Sequence, residues 1–290
     1  DQGAFGGKAE QSLGFCIETM PQTGSNEEME RVLASLFLSS QPGTGIQISL
    51  YASPSIMPVL QKQANMLPVD DDDVTSAANG DSRRNRNIFR ALARRRIDHY
   101  LKGTGRSLFS HQAYLLRNYR CVISITTPLD PKLPADVEEA IRVRESVHAT
   151  LRSAHLPGWD WQPDDLLNFV ADFFDHERVF GRAADKPIEY DETRPLRSQL
   201  SNLEIASAMA DSFIKFCKAG AAETALQSFS VRQYPKYYRL ANMGALIGDY
   251  YQMALSMPCP FLITLGATIL DDESARAKAQ MKAARATQAA

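Results

Sequence analysis

The chain has 290 residues, 44% of them hydrophobic and 23% charged, with a net charge of −2, the composition of a globular protein long enough for one large domain or two small ones. That charge balance creates no global field for nucleic acid or an anionic membrane, so any such attraction must come from a local patch. The best apolar run, Phe261–Leu270, contains Gly266 and two threonines and falls far short of the roughly 20 residues that span a bilayer.

The opening DQGAFGGKAEQ has neither an apolar leader core nor an initiator Met, which reads as a cropped region of a longer chain. Leu13–Met20 is apolar enough for a strand. Ser25-Asn-Glu-Glu28 has the form of a capping box, with the Ser25 hydroxyl accepting from the Glu28 amide. Met29, Val32, Leu33, Leu36 and Phe37 then recur at helical spacing to about Ser40, and Gln41-Pro-Gly-Thr-Gly45 ends the helix. Ile46–Ala52 alternates as a strand, with Ile46, Ile48 and Leu50 on one face. This strand–helix–strand unit is expected to place its two strands side by side.

Ser53–Met66 reads as a short helix opened by Pro54. Residues 67–86 read as an acidic surface loop, because the adjacent carboxylates of Asp70–Asp73 repel one another; they lack the alternating acids, Gly turn and distal Glu of a calcium loop. Asn87–Lys102 is a basic helix, with Gly103 as its expected C-cap. Tyr114–Thr127 reads as a strand, Pro134–His155 and Asp164–His176 as helices, and Gly181–Pro195 as an irregular connector. In the 134–155 helix, Val137, Ile141, Val147 and Leu151 share a side. Leu203–Ala219 is expected to be a helix stopped by Gly220, followed by a strand at Leu226–Val231, a helix at Tyr237–Met253 and a strand at Cys259–Ile269. Asp271–Ala290 is a helix with no large apolar residue except Met281, which suits a linker. The expected fold class is α+β, or mixed α/β, with one central sheet and helices packed on it.

Cys16, Cys121, Cys217 and Cys259 are widely spaced with no C-x-x-C pair, so they read as buried reduced thiols in a reducing cytoplasm. The five histidines show no metal-ligand spacing, and no G-x-S-x-G elbow is present. Gly103-Thr-Gly-Arg-Ser107 is the nearest approach to a phosphate loop, yet it follows a helix and carries Arg106 where the phosphate-binding Lys belongs. No catalytic, cofactor-binding or metal-binding residue is therefore assigned.

Arg83, Arg84, Arg86, Arg90, Arg94, Arg95 and Arg96 fall within fourteen residues that contain no acid. On a helical wheel Ile88, Phe89, Leu92, Ala93, Ile97 and Tyr100 form an apolar arc, and Arg96 lies inside it. A guanidinium in a buried arc needs a carboxylate partner, within the domain or across an interface. A basic face is in general a solvated one; the alternatives are a subunit or anionic-membrane contact and, least favoured, nucleic acid. Trp159-Asp-Trp161 after Pro157-Gly158 is either a packed turn or an exposed partner anchor. The candidate interface residues are Arg90, Arg94, Arg95, Arg96, Trp159 and Trp161.

Several segments, in chain order, resemble one family. Ser12–Pro21 (SLGFCIETMP) is similar to the opening strand of the N-terminal domain of TraC-type conjugation ATPases. Ile88–Phe109 (IFRALARRRIDHYLKGTGRSLF) resembles its basic helix and following loop, Tyr114–Pro128 (YLLRNYRCVISITTP) its next strand, and Pro195–Gln199 (PLRSQ) a weaker segment. Ser228–Leu270 (SFSVRQYPKYYRLANMGALIGDYYQMALSMPCPFLITLGATIL) resembles the end of that domain. The resemblance implies a cytoplasmic, inner-membrane-associated motor of a type IV secretion system. Residues 1–270 would be its non-catalytic docking and assembly domain, and residues 271–290 a linker to a missing nucleotide-binding domain that uses ATP and Mg²⁺. It also implies inner-membrane secretion subunits as partners, self-association in a ring of six, and a role in pilus assembly and DNA transfer. Two other readings compete with this one. The chain would be a nucleic-acid- or anion-binding module using the Arg83–Arg96 helix, or an enzyme whose pocket sequence does not reveal.

Overall fold

The computed structural model describes residues 12–22, 24, 26–60, 80–110, 114–175, 178, 187–200, 205–218, 223–230 and 257–288. Within them the elements run β1 (Leu13–Thr19), α1 (Glu27–Leu38), β2 (Gly45–Ser53), α2 (Gly80–Gly105), β3 (Asn118–Thr127), α3 (Pro134–Ser153) and β4 (Gly158–Asp160), then α4 (Pro163–Phe174), α5 (Leu196–Leu200), β5 (Ile205–Met209), β6 (Ile214–Lys218), β7 (Thr224–Leu226), β8 (Phe261–Thr268) and α6 (Asp272–Gln288). The fold is α+β. Sheet order is β4-β1-β3-β2-β8 in one sheet and β5-β6-β7 in a second, smaller one.

The chain divides into two compact units. The first comprises Asp1–Leu50, Arg120–Trp161 and Leu262–Ala290; the second comprises Tyr51–Tyr119 and Gln162–Phe261.

In the first unit β1 and β2 are not neighbours. β3 lies between them in the sheet order, pairing antiparallel with β1 so that Ile17 faces Ile123 and Cys16 faces Ser124. This order, with a helix after β1 and another after β3, is the split β-α-β arrangement. The expected side-by-side pair therefore opens to admit a strand that follows about 70 residues later, a choice made by long-range packing. The alternation of β1 and β3 puts Ile17, Ile123 and Ile125 on the face that carries the helices. There they form one core with Ile46 of β2, Leu36 of α1, and Val147 and Leu151 of α3, flanked by Phe15, Leu33, Phe37 and Val143. Ile141, expected on the packed side of α3, is exposed; Val143 takes that role.

Local chemistry sets the element ends. Asn26 caps α1 with its side-chain oxygen 2.8 Å from the Met29 amide, so the helix starts one residue later than the Ser25 reading placed it; Ser25 lies outside the described residues. Gly43 has φ +90°, which a side chain rarely tolerates, and its amide donates to the Ile269 carbonyl at 2.8 Å. The returning bond, Ile269 amide to Thr44 carbonyl at 2.9 Å, fastens the end of β8 to the entry of β2. α6 is polar along its described length, and the Asp271 carboxylate accepts from the Ser274 amide at its start. That bond holds the Asp271 carboxyl below its ordinary value.

In the second unit Tyr51 stacks edge-on against Phe169 and Phe173 of α4, with ring centroids at 5.4 and 5.8 Å. Phe174 meets Phe216 of β6 at 5.0 Å. Asn168 accepts from the Ile188 amide and donates to the Ile188 carbonyl, which fixes the connector beyond α4.

The Leu203–Ala219 helix is not formed. β5 and β6 are antiparallel, with Ile205 opposite Lys218 and Met209 opposite Ile214. Ile214, Phe216 and Lys218 alternate with Lys215 and Cys217 at period two, and cross-strand packing outweighs the weak helix propensity of the Ala- and Ser-rich first half. The strand expected at Leu226–Val231 ends at Leu226 as β7. The helix readings of Tyr237–Met253 and of Ser53–Met66 beyond residue 60 lie outside the described residues, as does the acidic run Asp70–Asp73. The loop assigned to 67–86 is shorter than expected, since α2 is already helical at Gly80. β3 begins at Asn118 and not at Tyr114.

Candidate docking surfaces

The basic segment forms a 26-residue helix, α2. It runs seven residues earlier and three later than the Asn87–Lys102 reading. Gly103 is therefore not a C-cap. It is buried inside the last turn, where a Cβ would lie 2.7 Å from Leu116 Cδ1 and 3.0 Å from Leu108 Cδ1. Its carbonyl accepts from the Leu116 amide at 2.7 Å, and the Arg106 amide donates to the Lys102 carbonyl. Arg117 closes the same corner, donating from Nη1 to the carbonyls of Thr104 (2.7 Å) and Leu116 (3.1 Å) and from Nη2 to that of Pro258 (3.3 Å). Burial lowers the Arg117 pKa. A guanidinium bonded to the closing carbonyls of a helix also complements its dipole. Gly103 is thus packed by leucine side chains inside the last helical turn, a setting unlike the strand-to-helix glycine loop that cradles phosphates.

Arg94, Arg95 and Arg96 are all exposed. The expected apolar arc is not a buried one, because Leu92 and Tyr100 are exposed as well. The partly covered side chains are those of Ala93, Ile97, Leu101 and Thr104. Arg96 consequently needs no carboxylate, and among the described residues it has none within the chain. Arg90 belongs to the helix, but its side chain lies outside the described residues.

The two tryptophans have opposite fates. Trp159 sits on β4, an end strand of its sheet, and is 47% exposed. Trp161 turns inward, with its indole N–H donating to Glu18 Oε2 at 2.7 Å. The strand is short enough to have escaped the periodicity reading. It pairs antiparallel with β1, Glu18 opposite Trp159 and Ile17 opposite Asp160. Gly158 is required here, since a Cβ would lie 2.5 Å from Ile17 Cγ2 and 3.0 Å from the Glu18 carbonyl. On the helix side His148 of α3 bonds Asp160 at 2.8 Å, and Arg144 approaches the same carboxylate at 3.7 Å.

Sequence reading missed the centre of this region. Glu18 is 7% exposed, and Arg120 grips it with two bonds, Nε to Oε1 at 2.8 Å and Nη2 to Oε2 at 2.6 Å. The Arg120 guanidinium also lies 5.6 Å from the Trp161 ring centre. Three bonds to one carboxylate offset the cost of burying it. The signal available in the sequence was the acid itself, placed between Ile17 and Thr19 in an otherwise apolar strand.

None of the four cysteines is fully buried, against expectation; Cys259 is exposed and the other three are partly covered. Burial pushes the Cys121 thiol above its ordinary pKa. Among the described residues no group of three His, Cys, Asp or Glu is placed to hold a metal ion, and no helix is long and apolar enough to cross a membrane.

Comparison with known proteins is consistent with the segment-by-segment resemblance. The family described as TraC protein matches residues 1–290. No curated protein sequence matches the chain. A match over the whole chain decides the family: this chain belongs to the TraC proteins of conjugative type IV secretion.

Proposed function

We propose that this chain is the docking and assembly part of a conjugation ATPase. It binds inner-membrane subunits of the secretion apparatus from the cytoplasmic side and holds the motor there for pilus assembly and DNA transfer. In this reading it associates with its own copies, in a ring of six, and α6 leads toward a nucleotide-binding domain that uses ATP and Mg²⁺. The match to the TraC family over residues 1–290 carries the reading. Supporting it are side chains suited to partner contact on described, accessible surface: Arg94, Arg95 and Arg96 of α2 and Trp159. Arg and Trp are the residue types that most often anchor protein interfaces.

The test is reconstitution. The purified chain is mixed with detergent-solubilised inner-membrane subunits of its own secretion system and recovered by a tag on the chain. Stoichiometric recovery of one or more subunits is the expected result. A chain that recovers none of them, while folded by circular dichroism, would remove the docking role.

A further inference from the structure

The face of α2 that looks outward carries a more specific arrangement than a run of arginines. At about 100° per residue, Leu92, Arg95, Arg96, His99 and Lys102 share one side of the helix, and each of them is exposed. Ala93, Ile97, Leu101 and Thr104, partly covered, define the opposite side. Between Leu92 and Lys102 no carboxylate lies on this face. Asp98, the acid of this stretch, sits on the flank, one turn from Arg94, Arg95 and Lys102. Among the described residues none of Arg95, Arg96 and Lys102 has an ion pair. The stripe ends at Gly103, where Leu116 covers the helix.

We infer that this stripe is a docking site for an acidic helix of a partner protein. The inference rests on the docking reading above and narrows it to one face and one chemistry. Arg95 and Lys102 lie at i and i+7, with Arg96 beside the first and the His99 ring between them, and that spacing matches carboxylates two turns apart on an acidic helix laid alongside. Leu92 at one end and Tyr100 at the flank, its ring 6.0 Å from that of His99, supply apolar contact. Two apolar side chains are too few to seat a helix in a lipid interface. Successive bases of a single strand would need a row of aromatic platforms, and the described part of the stripe offers one phenol. Arg94 is excluded from the site by its position, although it belongs to the same cluster in sequence.

The experiment uses the whole 290-residue chain and a labelled, Ala-rich helical peptide carrying Glu at i, i+4 and i+7 with one Leu, read by fluorescence anisotropy at low salt. The expected result is saturable binding that weakens as salt rises. R95E/R96E should weaken it at least tenfold and R94E less than twofold. If R95E/R96E fails to keep the wild-type circular dichroism spectrum, R95Q/R96Q replaces it, with the same order of effects. Absence of peptide binding, an equal loss in R94E, or tighter binding to phosphatidylglycerol vesicles or to a single-stranded DNA oligomer would overturn the inference. The failures separate cleanly. Recovery of inner-membrane subunits undiminished by R95E/R96E sinks the stripe and leaves the docking role standing, whereas no recovery by the wild-type chain sinks the docking role itself.

Discussion

Arg120 and Arg95 show what one residue type does in two settings. Arg120 lies in the first unit, bonded twice to a buried carboxylate and placed over a tryptophan. Arg95 lies in the second unit on the outside of a helix and is exposed. The first geometry is closed, because both carboxylate oxygens of Glu18 already accept hydrogen bonds within the fold. The second is open, since among the described residues its donors have no ion pair. Trp161 and Trp159 repeat the contrast two residues apart, one bonded inward and the other half exposed on an end strand. Arginine and tryptophan bonded to the buried Glu18 hold the fold together, and exposed ones are available to partners.

The sharpest way to break this contrast is at Glu18. Glu18→Ala leaves the Arg120 guanidinium and the Trp161 N–H without their shared acceptor, and should cost about 3 kcal/mol of stability, read by urea unfolding. A cost below about 1 kcal/mol would mean that the cluster behaves like a surface pair. Next comes the tryptophan pair. Trp161→Ala should also cost about 3 kcal/mol through lost burial and its hydrogen bond, while Trp159→Ala should cost about 1 kcal/mol or less. Equal costs would erase the distinction between them.

A smaller effect separates two thiols. With its pKa raised by burial, Cys121 presents less thiolate at a given pH and reacts more slowly. At pH 8 iodoacetamide should therefore modify exposed Cys259 well before Cys121, as read by peptide mass mapping. Faster modification of Cys121 would show that β3 opens readily. The smallest effect concerns Asp191, whose carboxylate accepts from the amide and hydroxyl of Thr193. Those bonds lower its pKa in the folded chain. Its stabilising contribution is thus present above the usual carboxylate range and is lost as pH falls below it. Asp191→Asn should flatten acid unfolding slightly.

Elements with strong local signals were legible in the sequence: β1, α1, β2, α3, α4 and β8 follow the apolar spacing of their own residues, and α6 follows its Ala-, Lys- and Arg-rich composition. What was not legible is set by partners far along the chain. β3 separates β1 from β2 through pairing across more than 100 residues, and the bonds of Glu18 to Arg120 and Trp161 span 102 and 143 positions. β4 is three residues long, too short for any period. β5 and β6 were read as a helix because Ala, Ser, Met and Lys weigh little against a helical pattern, while the alternation of Ile214 and Phe216 is brief. In α2 the composition was legible and the orientation was not. The wheel gave Arg96 an apolar setting, but the covered side runs through Ala93, Ile97 and Leu101.

The most direct measurement pairs binding with stability in one variant. Wild-type chain and R95E/R96E are each tested for recovery of solubilised inner-membrane secretion subunits and for thermal unfolding. If the open arginines serve partners, recovery falls at least tenfold while the melting temperature moves by no more than about 2 °C. Undiminished recovery, or a loss that tracks a large drop in melting temperature, would contradict it.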